Sequence, residues 1–301
     1  MPSTIFIDAT PDLLHLWRQV LRDTDPAIAI NMVPVAADQV PAILADHDTC
    51  IVDATYFPKE QLERCRNLRH IVFLGTGAAS YIDLAAARDL GIKVSTISGY
   101  GDTTVAEHAI GLMFAAARQT ARMDRAMRAG AWTPSGGMQL FGKTLGVVGL
   151  GGIGREMARL GRGIGMDVLA WNRTAIADPP VPLVELDALL QRADVVSLHL
   201  SLNDTTRGFM NRDRLRRMKP GAILINTARG AIIDQAALVD SLASGHIRHA
   251  AIDVFEPEPP LPGDPLLALE TVTLSAHAGF FTPEATMVML RRSIDLATAG
   301  Y

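Results

Sequence analysis

Three charged side chains stand where one reaction could use them together. Arg229 lies in Asn226-Thr227-Ala228-Arg229-Gly230, Glu258 in Glu256-Pro257-Glu258-Pro259, and His277 in Ala276-His277-Ala278-Gly279. Each group follows an apolar run: Ala222–Thr227, Ala250–Phe255 and Thr271–Ser275. A guanidinium can hold a carboxylate through two parallel charge-assisted hydrogen bonds, worth about 1.5–3 kcal/mol each. An imidazole exchanges a proton in either direction near neutral pH. A carboxylate beside it favours the imidazolium, by about 1.36 kcal/mol for each unit of upward shift. The set suits reduction of a small 2-oxo acid: a clamp for the carboxylate, a proton donor for the developing alkoxide, and an anion that keeps the donor charged. Singly, each residue fits a surface ion pair, a solvated loop or a packed histidine equally well. Their recurrence at three successive strand ends favours the joint reading.

The source of reducing power is read from Gly149-Leu150-Gly151-Gly152-Ile153-Gly154, which follows the apolar run Thr144–Val148 and opens a helical pattern over Gly152–Ile164. A GxGxxG between strand and helix binds dinucleotides: the first glycine permits the turn, the second admits the pyrophosphate, and the third lets helix and strand pack closely. The next strand, Met166–Trp171, should end at the adenosine ribose, where an NAD site places an acid. Here the chain reads Trp171-Asn172-Arg173-Thr174. Without a carboxylate, and with a guanidinium able to clamp a 2′-phosphate, the expectation is NADP, with NAD as the alternative.

These residues need a scaffold. Strands are expected at Thr4–Asp8, Ile28–Val33, Thr49–Val52, His70–Leu74 and Ile92–Ser95, with helices at Pro11–Leu21, Asp38–Ala45, Pro58–Arg64 and Ile82–Leu90. One long amphipathic helix, Thr103–Arg128, then links to a second alternating series. That series adds a strand at Val195–Leu200 and helices at Leu183–Ala193, Arg212–Met218 and Gln235–Ala243, and a last helix, Pro283–Ala297, is expected to return to the first domain. Alternation of this kind gives parallel sheets covered on both faces. The expected fold class is α/β, with two Rossmann-like or flavodoxin-like domains: residues 1–98 with 281–301 for the substrate, and 99–280 for the dinucleotide. Such folds bind ligands at the carboxyl ends of strands, so the interdomain cleft is the expected site.

Bulk properties exclude other classes. The 301 residues are 20% charged with net charge −4, which implies neither a nucleic-acid surface nor disorder. Cys50 and Cys65 form no CxxC pattern, and the N-terminus lacks a basic region before a long apolar stretch. No apolar run reaches the roughly 18 residues needed to span a bilayer. A cytoplasmic location without membrane or nucleic-acid partners is expected. No metal site is expected either, since no HExxH occurs, and His246 and His249 read as a solvated pair around Gly245.

Between Leu74 and Gly279 the chain resembles the D-isomer-specific 2-hydroxyacid dehydrogenases. The resemblance is carried by Ile82-Asp83-Leu84-Ala85-Ala86-Ala87, Gly91-Ile92-Lys93-Val94, Val105-Ala106-Glu107-His108, Gly149–Gly154, Met218-Lys219-Pro220-Gly221, Asn226–Gly230, Asp253-Val254-Phe255 and His277. It implies that Arg229 binds substrate, His277 is the proton donor and Glu258 its partner. It places Asp253 at the nicotinamide carboxamide and Thr206 at the cofactor, and gives the amides of Gly77 and Ala78 to the substrate carboxylate. The cofactor-binding set is then Gly149, Gly151, Gly152, Ile153, Gly154, Asn172, Arg173, Thr174, Thr206, Ala228, Asp253 and Gly279. Glyoxylate or hydroxypyruvate is the implied substrate and a homodimer the implied assembly. The alternatives are NAD-dependent oxidation of a D-2-hydroxy acid such as phosphoglycerate, and a dinucleotide-sensing protein like the corepressors similar to this family. No long segment follows 283–297, which argues against a regulated biosynthetic form. The chain departs from the family at Gly77-Ala78-Ala79-Ser80, where members show Val-Gly-x-Asp. Gly101 and Glu258 replace the Asn and Gln of formate dehydrogenases, which argues against formate.

Overall fold

A computed structural model of the chain describes residues 3–299. The chain divides into two compact units, Met1–Gly101 with Phe281–Tyr301, and Asp102–Phe280.

The first unit holds five parallel strands, β1 (Thr4–Phe6), β2 (Ala29–Ile30), β3 (Thr49–Val52), β4 (His70–Phe73) and β5 (Lys93–Thr96), in the order β2-β1-β3-β4-β5. Burial of β1, β3 and β4 on both faces makes each a continuous apolar run after a single polar first residue, Thr4, Thr49 or His70, rather than an alternating pattern. One face packs Leu13 and Trp17 of helix Pro11–Val20 with Met289, Leu290 and Ile294 of helix Pro283–Thr298. The helix expected at Asp38–Ala45 is a 3-10 turn, Ala37–Gln39, followed by the short helix Val40–Ile43. Pro41 lies at the start of that helix, where its missing N–H is tolerated, and it cannot continue a helix from upstream.

The second unit holds β6 (Thr144–Val148), β7 (Asp167–Trp171), β8 (Val195–Leu198), β9 (Ala222–Asn226), β10 (Ile247–Ile252) and β11 (Val272–Leu274), all parallel, in the order β11-β10-β9-β8-β6-β7. A parallel bridge from Ala170 to Leu183 continues the sheet beyond β7, which completes the strand order of dinucleotide-binding folds. The chain leaves β6 and β8 toward opposite edges, so their carboxyl ends form the switch point where such folds bind ligands.

The helix expected as one piece over Thr103–Arg128 is two, Asp102–Arg118 and Thr120–Arg128. Gln119 between them has φ 54°, and this left-handed residue interrupts the ladder. Strand β10 begins at Ile247, earlier than expected, so His249 is buried and bonded to Thr273 Oγ1 at 2.9 Å. The solvated pair is therefore incorrect for His249, because it pairs inside the sheet. Among the described residues no group of three or more His, Cys, Asp or Glu could hold a metal ion. No helix of the described residues is long and apolar enough to cross a membrane.

Candidate active site

The glycine loop is fixed by close approach. Gly149 has φ 96°, and a Cβ there would lie 2.4 Å from the His199 carbonyl oxygen at the end of β8. A Cβ on Gly154 would lie 2.0 Å from the Gly149 carbonyl oxygen. Gly151 differs: open space lies beside it, and it caps helix Gly152–Gly163 with no side chain on the exposed amides. Among the described residues the first-turn amides of Gly152, Ile153 and Gly154 have no hydrogen-bond partner. Unpartnered amides at a helix N-terminus with open space beside the cap fit a dinucleotide pyrophosphate.

Asn172, after β7, accepts from the Leu150 amide at 3.0 Å and donates to Thr174 O and Oγ1 at 2.9 and 3.1 Å. It thereby ties the glycine loop to the strand end that carries Arg173. The exposed Arg173 donates to Thr205 Oγ1 at 3.3 Å and pairs with no carboxylate among the described residues. Thr206 is engaged within its own loop: its hydroxyl accepts from the Asn203 amide at 2.8 Å and donates to the Ser201 carbonyl at 2.7 Å.

At the ends of β9, β10 and β11 the structure brings Arg229, Glu258 and His277 together. His277 Nδ1 lies 2.6 Å from Glu258 Oε2, and Glu258 Oε1 accepts from the Phe255 amide at 2.9 Å. Burial alone would raise the Glu258 carboxyl. Hydrogen bonds from His277 and the Phe255 amide, with the charges of His277 and Arg229, hold it below its ordinary value. With Nδ1 committed to Glu258, Nε2 is the nitrogen available to a substrate. Arg229 is half-buried, donates one N–H to the Ala228 carbonyl at 2.7 Å, and makes no ion pair among the described residues. Its other donors can take a carboxylate. Asn226 shapes this turn, accepting from the Ala228 amide and donating to the Arg229 carbonyl. A cavity of about 490 Å³ adjoins the pair, lined by Phe255, Glu258, Pro259, Leu267, Leu274 and His277.

His277 has φ 50°, a left-handed conformation that costs a β-carbon residue on the order of 1–3 kcal/mol. Asp253 holds it: the His277 amide donates to the Asp253 carbonyl at 2.7 Å, and the Ala278 and Gly279 amides donate to Oδ1 and Oδ2 at 3.0 Å each. Asp253 is buried after β10. Burial would raise its carboxyl, but hydrogen bonds from His108, Ser275, Ala278 and Gly279 outweigh this and hold it down at about 2. The sequence reading missed this anchoring role and also the Asn172 tie. Only the appearance of His108 and Asp253 in separate motifs pointed towards the former.

In the other unit, Gly77 precedes the 3-10 turn Ala78–Ser80. Among the described residues neither the Gly77 nor the Ala78 amide has a hydrogen-bond partner.

Residues 110–279 match the family described as "D-isomer specific 2-hydroxyacid dehydrogenase, NAD binding domain". The chain is 39% identical over 254 residues to a hydroxypyruvate reductase from Thermotoga maritima, covering 82% of this chain and 83% of that one. It is 38% identical over 234 residues to a D-3-phosphoglycerate dehydrogenase from Archaeoglobus fulgidus, covering 76% of this chain but only 44% of that longer one. In structure it is similar to a glyoxylate reductase from Paecilomyes thermophila, with TM-score 0.86, 31% identity, and 98% and 94% of the two chains covered.

Proposed function

The chain belongs to the D-isomer specific 2-hydroxyacid dehydrogenases, and from that premise we propose that it reduces a small 2-oxo acid, glyoxylate or hydroxypyruvate, with NADPH. These enzymes are oxidoreductases that use a nicotinamide dinucleotide. The observation that carries the substrate class is the Glu258–His277 pair at 2.6 Å beside an Arg229 that has no carboxylate partner among the described residues. The relatives named hydroxypyruvate reductase and glyoxylate reductase support the particular acids.

Bound at the glycine loop, the dinucleotide supplies the hydride for the carbonyl carbon. Arg229 orients the substrate carboxylate, and the amides of Gly77 and Ala78 are proposed as further donors to it. His277 delivers the proton at Nε2 to the carbonyl oxygen as negative charge develops there. Glu258 holds the ring by Nδ1 and stabilises the charge the ring carries before transfer. In the direction of oxidation the same nitrogen accepts the proton. Arg173, with Thr174 and Thr205 near it, supports NADP over NAD, since a guanidinium complements a 2′-phosphate. Ala228, Asp253, Thr206 and Gly279 complete the proposed cofactor surroundings. Residues 102–280 are proposed as the dinucleotide unit.

The test is turnover with glyoxylate, hydroxypyruvate, pyruvate and 3-phosphohydroxypyruvate, each with NADPH and NADH. NADPH-driven reduction of one of the first two acids, with the highest kcat/KM of the set, is the expected result. Faster turnover of 3-phosphohydroxypyruvate with NADH would favour the phosphoglycerate reading. Cofactor binding without turnover of any acid would favour a sensing role.

We also propose a homodimer, supported by exposed Phe114, Met127 and Trp132 within one unit. Light scattering should give about twice the 32.3 kDa chain mass; a monomer at working concentration contradicts it.

A further inference from the structure

The Val105-Ala106-Glu107-His108 segment lies outside the glycine loop and the Arg229–Glu258–His277 set, yet its histidine reaches the turn that carries His277. His108 projects from helix Asp102–Arg118, and its Nε2 lies 3.0 Å from Ser275 Oγ and 3.3 Å from Asp253 Oδ1. Ser275 Oγ donates to the same Asp253 oxygen at 2.5 Å. The proton placement follows from these contacts. Asp253 is ionised and can only accept, so the serine hydroxyl gives its one proton to the carboxylate. Ser275 Oγ is then left as an acceptor, and His108 must carry its proton on Nε2 to serve both oxygens.

Asp253 in turn captures three successive amides, those of His277, Ala278 and Gly279, through its carbonyl and both carboxylate oxygens. Gly279 makes this packing possible. A Cβ there would lie 3.1 Å from Asp253 Oδ2 and 3.5 Å from His108 Cδ2. A chain of bonds therefore runs from the helix, through His108, Ser275 and Asp253, to the left-handed backbone of His277.

We propose that His108 is a positioning residue for proton transfer. It orients the Asp253 carboxylate, which fixes the turn that aims the His277 ring. This rests on His277 being the acid of the proposed reaction, but the positioning itself can be read without turnover. Removing the donor leaves Asp253 with fewer constraints, the turn samples other conformations, and the proton at Nε2 is misaligned while the dinucleotide loop is untouched.

Two substitutions separate positioning from packing. His108→Leu keeps bulk and removes the donor, whereas His108→Gln carries an amide N–H to about the place of Nε2. In the cofactor-free protein, hydrogen exchange of the 277–279 amides is expected to accelerate at least about tenfold in His108→Leu and to return near the parent rate in His108→Gln. In turnover, kcat should fall about tenfold or more in His108→Leu, with KM for the acid within about threefold of the parent, and His108→Gln should recover most of the loss. Unchanged exchange in His108→Leu overturns the proposal, whatever the parent enzyme reduces. So does a kcat loss that His108→Gln fails to recover. An inactive parent with His108-dependent exchange would instead count against the proposed reaction and leave the positioning role standing.

Discussion

Glu258 and Asp253 both lie at the turn of His277, and their oxygens are engaged differently. Asp253 is buried, its carboxylate accepts from two backbone amides and two side chains, and it is held at about pKa 2, so it keeps its charge through the ordinary pH range. Glu258 gives one oxygen to the Phe255 amide and the other to the imidazole, so it answers directly to the protonation of His277. One carboxylate anchors backbone and the other holds the ring. Arg173 permits a separate test at this scale. Loss of a charge-assisted contact of about 1.5–3 kcal/mol predicts that Arg173→Ala lowers kcat/KM for NADPH by about tenfold to a hundredfold. The value for NADH should stay within about threefold. Steady-state kinetics with both cofactors check this, and equal losses for the two would remove Arg173 from phosphate recognition. Arg229, Glu258 and His277 were legible in the sequence because each follows an apolar strand and each has a side chain suited to one role. The roles of His108 and Asn172 were not, since their partners Ser275 and Leu150 lie in other segments, 167 and 22 residues away.

At the scale of elements, the glycine loop separates fold from binding. Gly154 is required by packing, because a methyl group there would meet the Gly149 carbonyl at 2.0 Å. Gly151 has ordinary φ of −72° and nothing beside it, so its lack of a side chain matters to an approaching ligand and not to the fold. Gly154→Ala should therefore lower unfolding free energy by about 2 kcal/mol or more, a range typical of overpacking. Gly151→Ala should change stability by less than about 0.5 kcal/mol while weakening NADPH binding about tenfold or more. Urea unfolding and cofactor titration read the two effects independently, and a Gly151→Ala protein with parental cofactor affinity would contradict the assignment. The strand–turn–helix at Thr144–Gly163 was legible because strand burial, turn glycines and helix periodicity agree there. The break at Gln119 was not, since apolar periodicity continues on both sides and glutamine carries no signal for a left-handed residue. Strand β2 is only Ala29–Ile30, shorter than the apolar run, because at the sheet edge it pairs only with β1.

For the whole molecule, the division at Gly101 and Phe280 leaves all three residues of the proposed reaction, the glycine loop and Arg173 in one unit. The other contributes the amides of Gly77 and Ala78 to the proposal. The two α/β series were legible from alternation alone, and the return of the last helix to the first unit followed from the resemblance. The proposed reduction rests most directly on Glu258 keeping His277 charged for proton delivery. An ionised carboxylate at 2.6 Å from the ring stabilises the imidazolium, so reduction should persist to higher pH in the parent than in a protein without that anion. The decisive measurement is kcat/KM against pH for NADPH-driven glyoxylate reduction by the parent and by Glu258→Gln. The account predicts that the alkaline limb of the variant moves to lower pH, because the ring loses its anionic partner. A limb that stays where the parent's lies would contradict it.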